Sequence, residues 1–179
     1  TTLFRSILNG RMDKAEESVL WFKNLFGEDY YLEIQRHETH DPNAAQDVYP
    51  HQVTANKAIL ELARKHNIKV IATNDVHFVN AEDAEAHDRL ICLSTGKDLD
   101  DPNRMRYTKQ EWMKTTAEMN TIFSDIPEAL SNTLEIADKV EFYSIDHGPI
   151  MPTFAIPEDF GTEEEYRQKF TEQEIGRAS

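Results

Sequence analysis

The chain has 179 residues, 39% hydrophobic and 29% charged, enough for one ordinary domain or a domain with an appendage. A formal charge of −14 excludes a chain that grips a nucleic-acid backbone with its own cations, because that needs clustered Lys and Arg. It does not exclude phosphodiester chemistry in which bound ions supply the positive charge. The single cysteine, Cys92, excludes an internal disulfide framework and fits a reducing cytoplasm. No apolar run reaches the roughly 20 residues that span a bilayer.

In chain order, Asp13–Phe26 reads as a helix with Ala15, Val19, Phe22 and Phe26 on one stripe and Gly27 closing it. Tyr30–Gln35 alternates as a strand, with Leu32 and Ile34 facing one way. Arg36–Pro50 is polar, carries Pro42 and Pro50, and is expected to be a loop. Gln52–His66 reads as a second amphipathic helix that buries Val53, Ile59, Leu60, Leu62 and Ala63 and ends at Asn67. Ile68–Thr73 is a buried strand. Strand, helix and strand at this spacing predict a βαβ unit with two parallel strands and a right-handed crossover. Asn80 caps a third helix over Ala81–Ser94, which stops at Gly96.

After Gly96 the character changes. Lys97–Tyr107 is a charged loop. Thr108, Thr115 and Asp125, each followed three residues later by Glu, predict three helix starts, the last with Pro127 in its first turn. Residues 141–160 hold Pro149, Pro152 and Pro157 and read as an extended linker. Thr162 and Glu165 open a last helix, and Ile175–Ser179 reads as an unrelated tail. The expected boundary lies near Gly96, with an α/β piece before it and a helical piece after it.

The chemistry-bearing feature is Asp75-Val76-His77, at the end of the apolar run Val70–Thr73. On an extended chain, residues two apart share a side, so the carboxylate and imidazole would project together past the strand end. Such a pair suits a zinc- or manganese-like ion. His37 follows the first strand. Parallel strands end on one edge, so His37 could approach the pair. The plain alternative is a solvated His37 and a turn residue at Asp75. His87 lies on the apolar side of the third helix and reads as structural. Trp21 and Trp112 read as core residues on amphipathic helices.

Six stretches together resemble one family. They are Tyr31–His37, Ala72–Phe78, Asp83–His87, Leu99–Arg104, Phe123–Leu130 and Asn132–Ala137. In this order and spacing they are similar to the α subunit of bacterial replicative DNA polymerase III. The similarity runs from about residue 12 to residue 171.

The resemblance implies an α/β fold: part of a polymerase and histidinol phosphatase (PHP) domain, a distorted β/α barrel of parallel strands, followed by a mainly helical segment. It implies residues 1–96 as the C-terminal part of that domain, 97–140 as the helical segment, and 141–179 as a Pro-rich linker entering the palm. It implies zinc or manganese on His37, Asp75 and His77, with Glu33 orienting a ligand from behind. Magnesium would serve a polymerase site outside this chain. The family's opening His-x-His and its palm aspartates are not in these residues, so a full metal cluster and polymerase activity are not expected of the chain alone. Implied partners are DNA and nucleotides through the longer protein, other replicase subunits, and proofreading or clamp proteins, with no membrane.

Three readings follow: a polymerase whose PHP domain has metal-dependent 3′→5′ exonuclease activity, a non-catalytic scaffold that docks a partner, and a stand-alone PHP phosphoesterase. The helical region after Gly96 argues against the last. Unpaired strand edges and exposed apolar helix faces also predict that the chain pairs with itself or is only marginally stable.

Overall fold

The computed structural model describes residues 2–150, together with 152, 159, 161, 162, 164 and 165. Six helices and two strands are found among them: α1 Thr2–Leu8, α2 Met12–Phe26, β1 Leu32–Ile34, α3 Val48–His66, β2 Val70–Ala72, α4 Ala84–Thr95, α5 Thr116–Ile122 and α6 Glu128–Lys139.

β1 and β2 pair in parallel, Leu32 opposite Val70 and Ile34 opposite Ala72, with α3 as the crossover. This is the predicted βαβ unit. The fold is α/β with a two-stranded parallel sheet. Asn67 ends α3 with φ 49°, and its N–H reaches the carbonyls of Ala63 and Arg64. The left-handed cap turns the chain directly into β2.

Leu32, Ile34, Val70 and Ala72 point into a core shared with Ala15 and Val19 of α2 and with Ala55, Ile59 and Leu62 of α3. Phe123, Ile126 and Ala129 belong to the same core. One hydrophobic core therefore runs across Gly96, and α5 and α6 close over the α/β piece. The chain divides into two compact units, residues 1–141 and 142–179. In the second, residues 142–150 form neither helix nor strand. Thr162 N donates to Glu165 Oε2 at 2.8 Å, the predicted capping pair. The helix expected to follow it, the palm entry and the Ile175–Ser179 tail lie largely outside the described residues.

Several expectations fail locally. Trp21 is 59% exposed and Val53 52%, so neither is core. Trp21 leads an open cluster on α2 in which its ring meets Phe22 edge-on at 4.8 Å and Phe22 stacks near Phe26 and Tyr30. Thr108 and Glu111 do bond as a capping pair, yet no helix follows. Lys109 takes φ 63°, which breaks the turn, and Trp112 instead bridges to Phe78 in parallel register. Trp112 is thus on an extended segment rather than a helix. Asp125 does not cap α6. It accepts both guanidinium nitrogens of Arg36, at 2.6 and 2.8 Å.

A second tie joins α6 to both strand entries. Glu135 accepts from Lys69 Nζ and from the Tyr31 hydroxyl, both at 2.6 Å. These donors hold its carboxyl at about 2, well below its ordinary 4.5. A depressed carboxylate stabilises the fold above its ordinary value and loses that contribution as pH falls through it toward the folded value. The urea midpoint is therefore expected to fall as pH drops below about 4.5 toward 2, and Glu135→Gln to flatten that slope. An unchanged slope in the variant would show that this group does not contribute.

Candidate metal-ligand site at the end of β2

The site lies where β2 runs out. The strand stops at Ala72, and Asp75 takes φ 44°, a left-handed conformation unusual for a residue other than Gly, Asn or Asp. Asp75 and His77 are therefore not neighbours through strand alternation. They are brought together by a turn in which the His77 ring nitrogen Nδ1 lies 2.6 Å from the Asp75 carbonyl. The carbonyl only accepts, so Nδ1 carries the proton and Nε2 keeps its lone pair.

The turn is pinned from the far side by the segment 108–113. His77 N–H donates to the Glu111 carbonyl at 2.8 Å, and Met113 N–H donates to Phe78 O at 3.1 Å. Asn74, buried beneath the turn, donates its side-chain amide to the carbonyls of Gln110 and Trp112 at 2.9 and 2.7 Å. Those two bonds leave no amide hydrogen unused and hold the two segments in one register.

His37 is placed differently from the sequence expectation. It is 3% exposed. Its backbone N–H donates to Gln52 Oε1 at 2.7 Å, which makes the other atom of that amide the NH2 group. That NH2 lies 3.0 Å from His37 Nδ1 and donates to it. Nε2 then carries the ring proton and donates to the Asn74 carbonyl at 3.1 Å. Burial also pushes the ring's pKa down, against the opposing pull of the Glu111 charge. The ring is neutral, closed on both nitrogens, and clamps α3 to the strand end.

The fit of a metal ion is thus uneven. Asp75 and His77 are exposed and offer a carboxylate and an Nε2 that faces the Tyr107 hydroxyl at 3.3 Å, and the backbone carbonyl on Nδ1 orients the ring as in many metal-binding histidines. His37 has no lone pair to give in this arrangement. Among the described residues no group of three or more His, Cys, Asp or Glu is gathered to hold a metal ion. Glu33 does not touch these side chains. It accepts from the hydroxyl of Thr73 and, at 3.3 Å, from Gln35.

Around His77 stands an aromatic group that the sequence did not suggest. Tyr107 OH lies 3.3 Å from His77 Nε2, and the Tyr107 ring centroid is 4.7 Å from the His77 ring. His87, half-buried on α4, sits 5.6 Å from His77, 5.0 Å from Tyr107 and 5.2 Å from Phe78, centroid to centroid. Tyr107 is thirty positions from His77 and belongs to no motif, so nothing local could have pointed to it. Beside this group, Lys109 donates to Asp41 at 2.8 Å and holds that carboxyl below its usual range. Arg104, its side chain 5% exposed, pairs with Asp88 of α4 through two bonds at 2.5 and 2.7 Å. The Arg104–Asp88 pair fixes the Lys97–Tyr107 loop against α4.

No protein-family model matches the chain. Individual proteins do. It is 40% identical over 169 residues, 93% of its length, to the DNA polymerase III subunit alpha of Borreliella burgdorferi. It is 38% identical over 83% of its length to that of Campylobacter jejuni, and 39% identical over 75% to that of Escherichia coli strain K12. It spans 14%, 12% and 11% of those proteins respectively. No helix among the described residues is long and apolar enough to cross a membrane.

Proposed function

We infer from this chain, by sequence a relative of one segment of DNA polymerase III subunit alpha, that it serves in the catalytic subunit of a bacterial replicative DNA polymerase. The similarity across nearly the whole chain carries the reading. DNA and nucleotides would be met through the longer protein, together with other replicase subunits, in the cytoplasm. The βαβ unit and the residues up to Gly96 are read as part of a PHP-type barrel, and the following helices as its link toward the palm.

Within that reading, Asp75 and His77 supply ligands for a zinc or manganese ion whose remaining ligands come from elsewhere in the longer protein. When bound, the ion would polarise a water and neutralise a scissile phosphate in 3′→5′ exonuclease chemistry. The chain's own part is positional. The left-handed turn at Asp75 and the carbonyl on His77 Nδ1 aim two donors outward, and the Asn74 and Glu111 contacts keep that turn from relaxing. His37 joins the ligand set only if it lets go of the Asn74 carbonyl. Its closed hydrogen bonds favour the second reading, in which this region is a scaffold without chemistry.

The longer protein decides between them. Stoichiometric zinc or manganese in the purified protein, and exonuclease activity reduced by at least ~10-fold in His77→Ala, are expected on the first reading. A metal-free protein, or activity indifferent to His77→Ala, would leave the scaffold reading.

A further inference from the structure

α3 carries a second apolar row besides the one that faces the strands. The sequence places Val53 and Leu60 in the core, yet the fold leaves Val53 52% exposed and Leu60 half-buried. With Tyr49 they line a groove of about 400 Å3 along the helix. The row follows a heptad. Val53 and Leu60 stand at a, Tyr49, Asn56 and Ala63 at d, and Lys57 and Arg64 at e. Gln52 and Ile59, at g, are buried within the fold, so only the e side of the row lies open.

The open side is charged. Lys57, Glu61 and Arg64 rim the groove. Among the described residues none of these three makes an ion pair, although Lys65 is bound to Glu16 and Arg36, at the end of the groove, to Asp125. In a chain of formal charge −14, two unspent cations beside one uncovered apolar row stand out. They lie about 10.5 Å apart along the helix, one heptad.

We propose that this face of α3 docks an amphipathic α-helix of a partner protein, whose acidic residues, one heptad apart, meet Lys57 and Arg64. Its apolar edge would fill the groove over Val53 and Leu60. In paired helices the a and d side chains interdigitate, and the e and g charges choose the partner and its direction. The acids would stand at g of a parallel partner or at e of an antiparallel one. Glu61 on the same rim repels a continuous phosphate backbone, so a polypeptide with separated charges fits better than a nucleic acid. The inference draws on nothing at the end of β2, and its failure would leave that reading untouched.

The test measures fluorescence anisotropy of two labelled synthetic helices of about three heptads, with Leu at a and d. One carries Glu at every e and g, the other Lys, and like charge keeps each from pairing with itself. The 179-residue chain is expected to bind the acidic helix at least ~10-fold more tightly than the basic one, with a preference that narrows as salt rises. Lys57→Glu with Arg64→Glu is expected to reverse the preference. Val53→Asp is expected to weaken the acidic helix by at least ~10-fold. Arg89→Glu, the same charge change on α4, is expected to leave it unchanged. Circular dichroism checks the fold of each variant.

Equal binding of the two helices, no binding of the acidic one, or a preference that survives the double reversal would overturn the proposal. So would oligothymidylate displacing the acidic helix, which would make the face a nucleic-acid contact. Self-association in sedimentation equilibrium that Val53→Asp abolishes would overturn it too, with a second copy then the occupant.

Discussion

Replacing Phe123 by alanine is expected to lower the unfolding free energy by about 3–5 kcal/mol, read from urea denaturation. Phe123 is 1% exposed and the largest of the fully buried side chains. It comes from α5's end, beyond Gly96, yet it fills the core against the strands and α3. Its ring also lies 5.0 Å beneath the guanidinium of Arg36, which donates to the Ile122 carbonyl and grips Asp125. Alanine would leave a cavity and remove the surface on which that guanidinium rests. Phe123→Leu keeps most of the volume and is expected to cost less than half as much. An alanine cost below about 1 kcal/mol would mean that the helices after Gly96 are not part of the cooperative unit.

The second large effect is expected at His37. His37→Ala removes a buried ring that satisfies Gln52 and the Asn74 carbonyl at once. Leaving both groups unpaired and the volume empty is expected to cost about 2–4 kcal/mol. His37→Phe separates the two contributions: it restores volume and leaves the polar groups unpaired, so it should recover only part of the loss. Amide exchange offers a second readout. His77 N–H, bonded to the Glu111 carbonyl, should lose protection in His37→Ala, because Asn74 and the strand-end turn move together. Destabilisation without that local loss would show that the ring packs but does not hold the turn. Should His37→Phe prove as stable as the unchanged chain, the hydrogen-bond clamp would carry no weight.

Apart from α1, for which residues 1–11 gave no signal, the helices and strands before Gly96 were readable for ordinary reasons. Ala15 and Val19, Leu32 and Ile34, Ile59 and Leu62 repeat at the spacing of the element that buries them. Asn67 and Gly96 end their helices in left-handed caps, a conformation these two residue types adopt readily. The Thr115–Glu118 pair opens α5 with both reciprocal bonds made. The same pattern at Thr108 makes the bonds and no helix, because Lys109 leaves the helical region and Trp112 finds a partner in Phe78. A capping pair records what two side chains can do locally. Whether a helix follows depends on what the next residues find to pair with.

By itself the sequence determined the parallel βαβ unit and the kinship of the chain. Both rest on local spacing and on ordered motifs. The tertiary structure decided what those residues do. It turned His37 inward because Gln52 and Asn74, fifteen and thirty-seven positions away, complete its hydrogen bonds in a site water cannot reach. It turned His77 outward through the left-handed turn at Asp75, and brought Tyr107 and His87 beside it from a loop and a helix. It also joined Phe123 to a core begun a hundred residues earlier. None of these pairings has a period or a motif. Each is chosen when the folded chain excludes water and every buried polar group must find a partner.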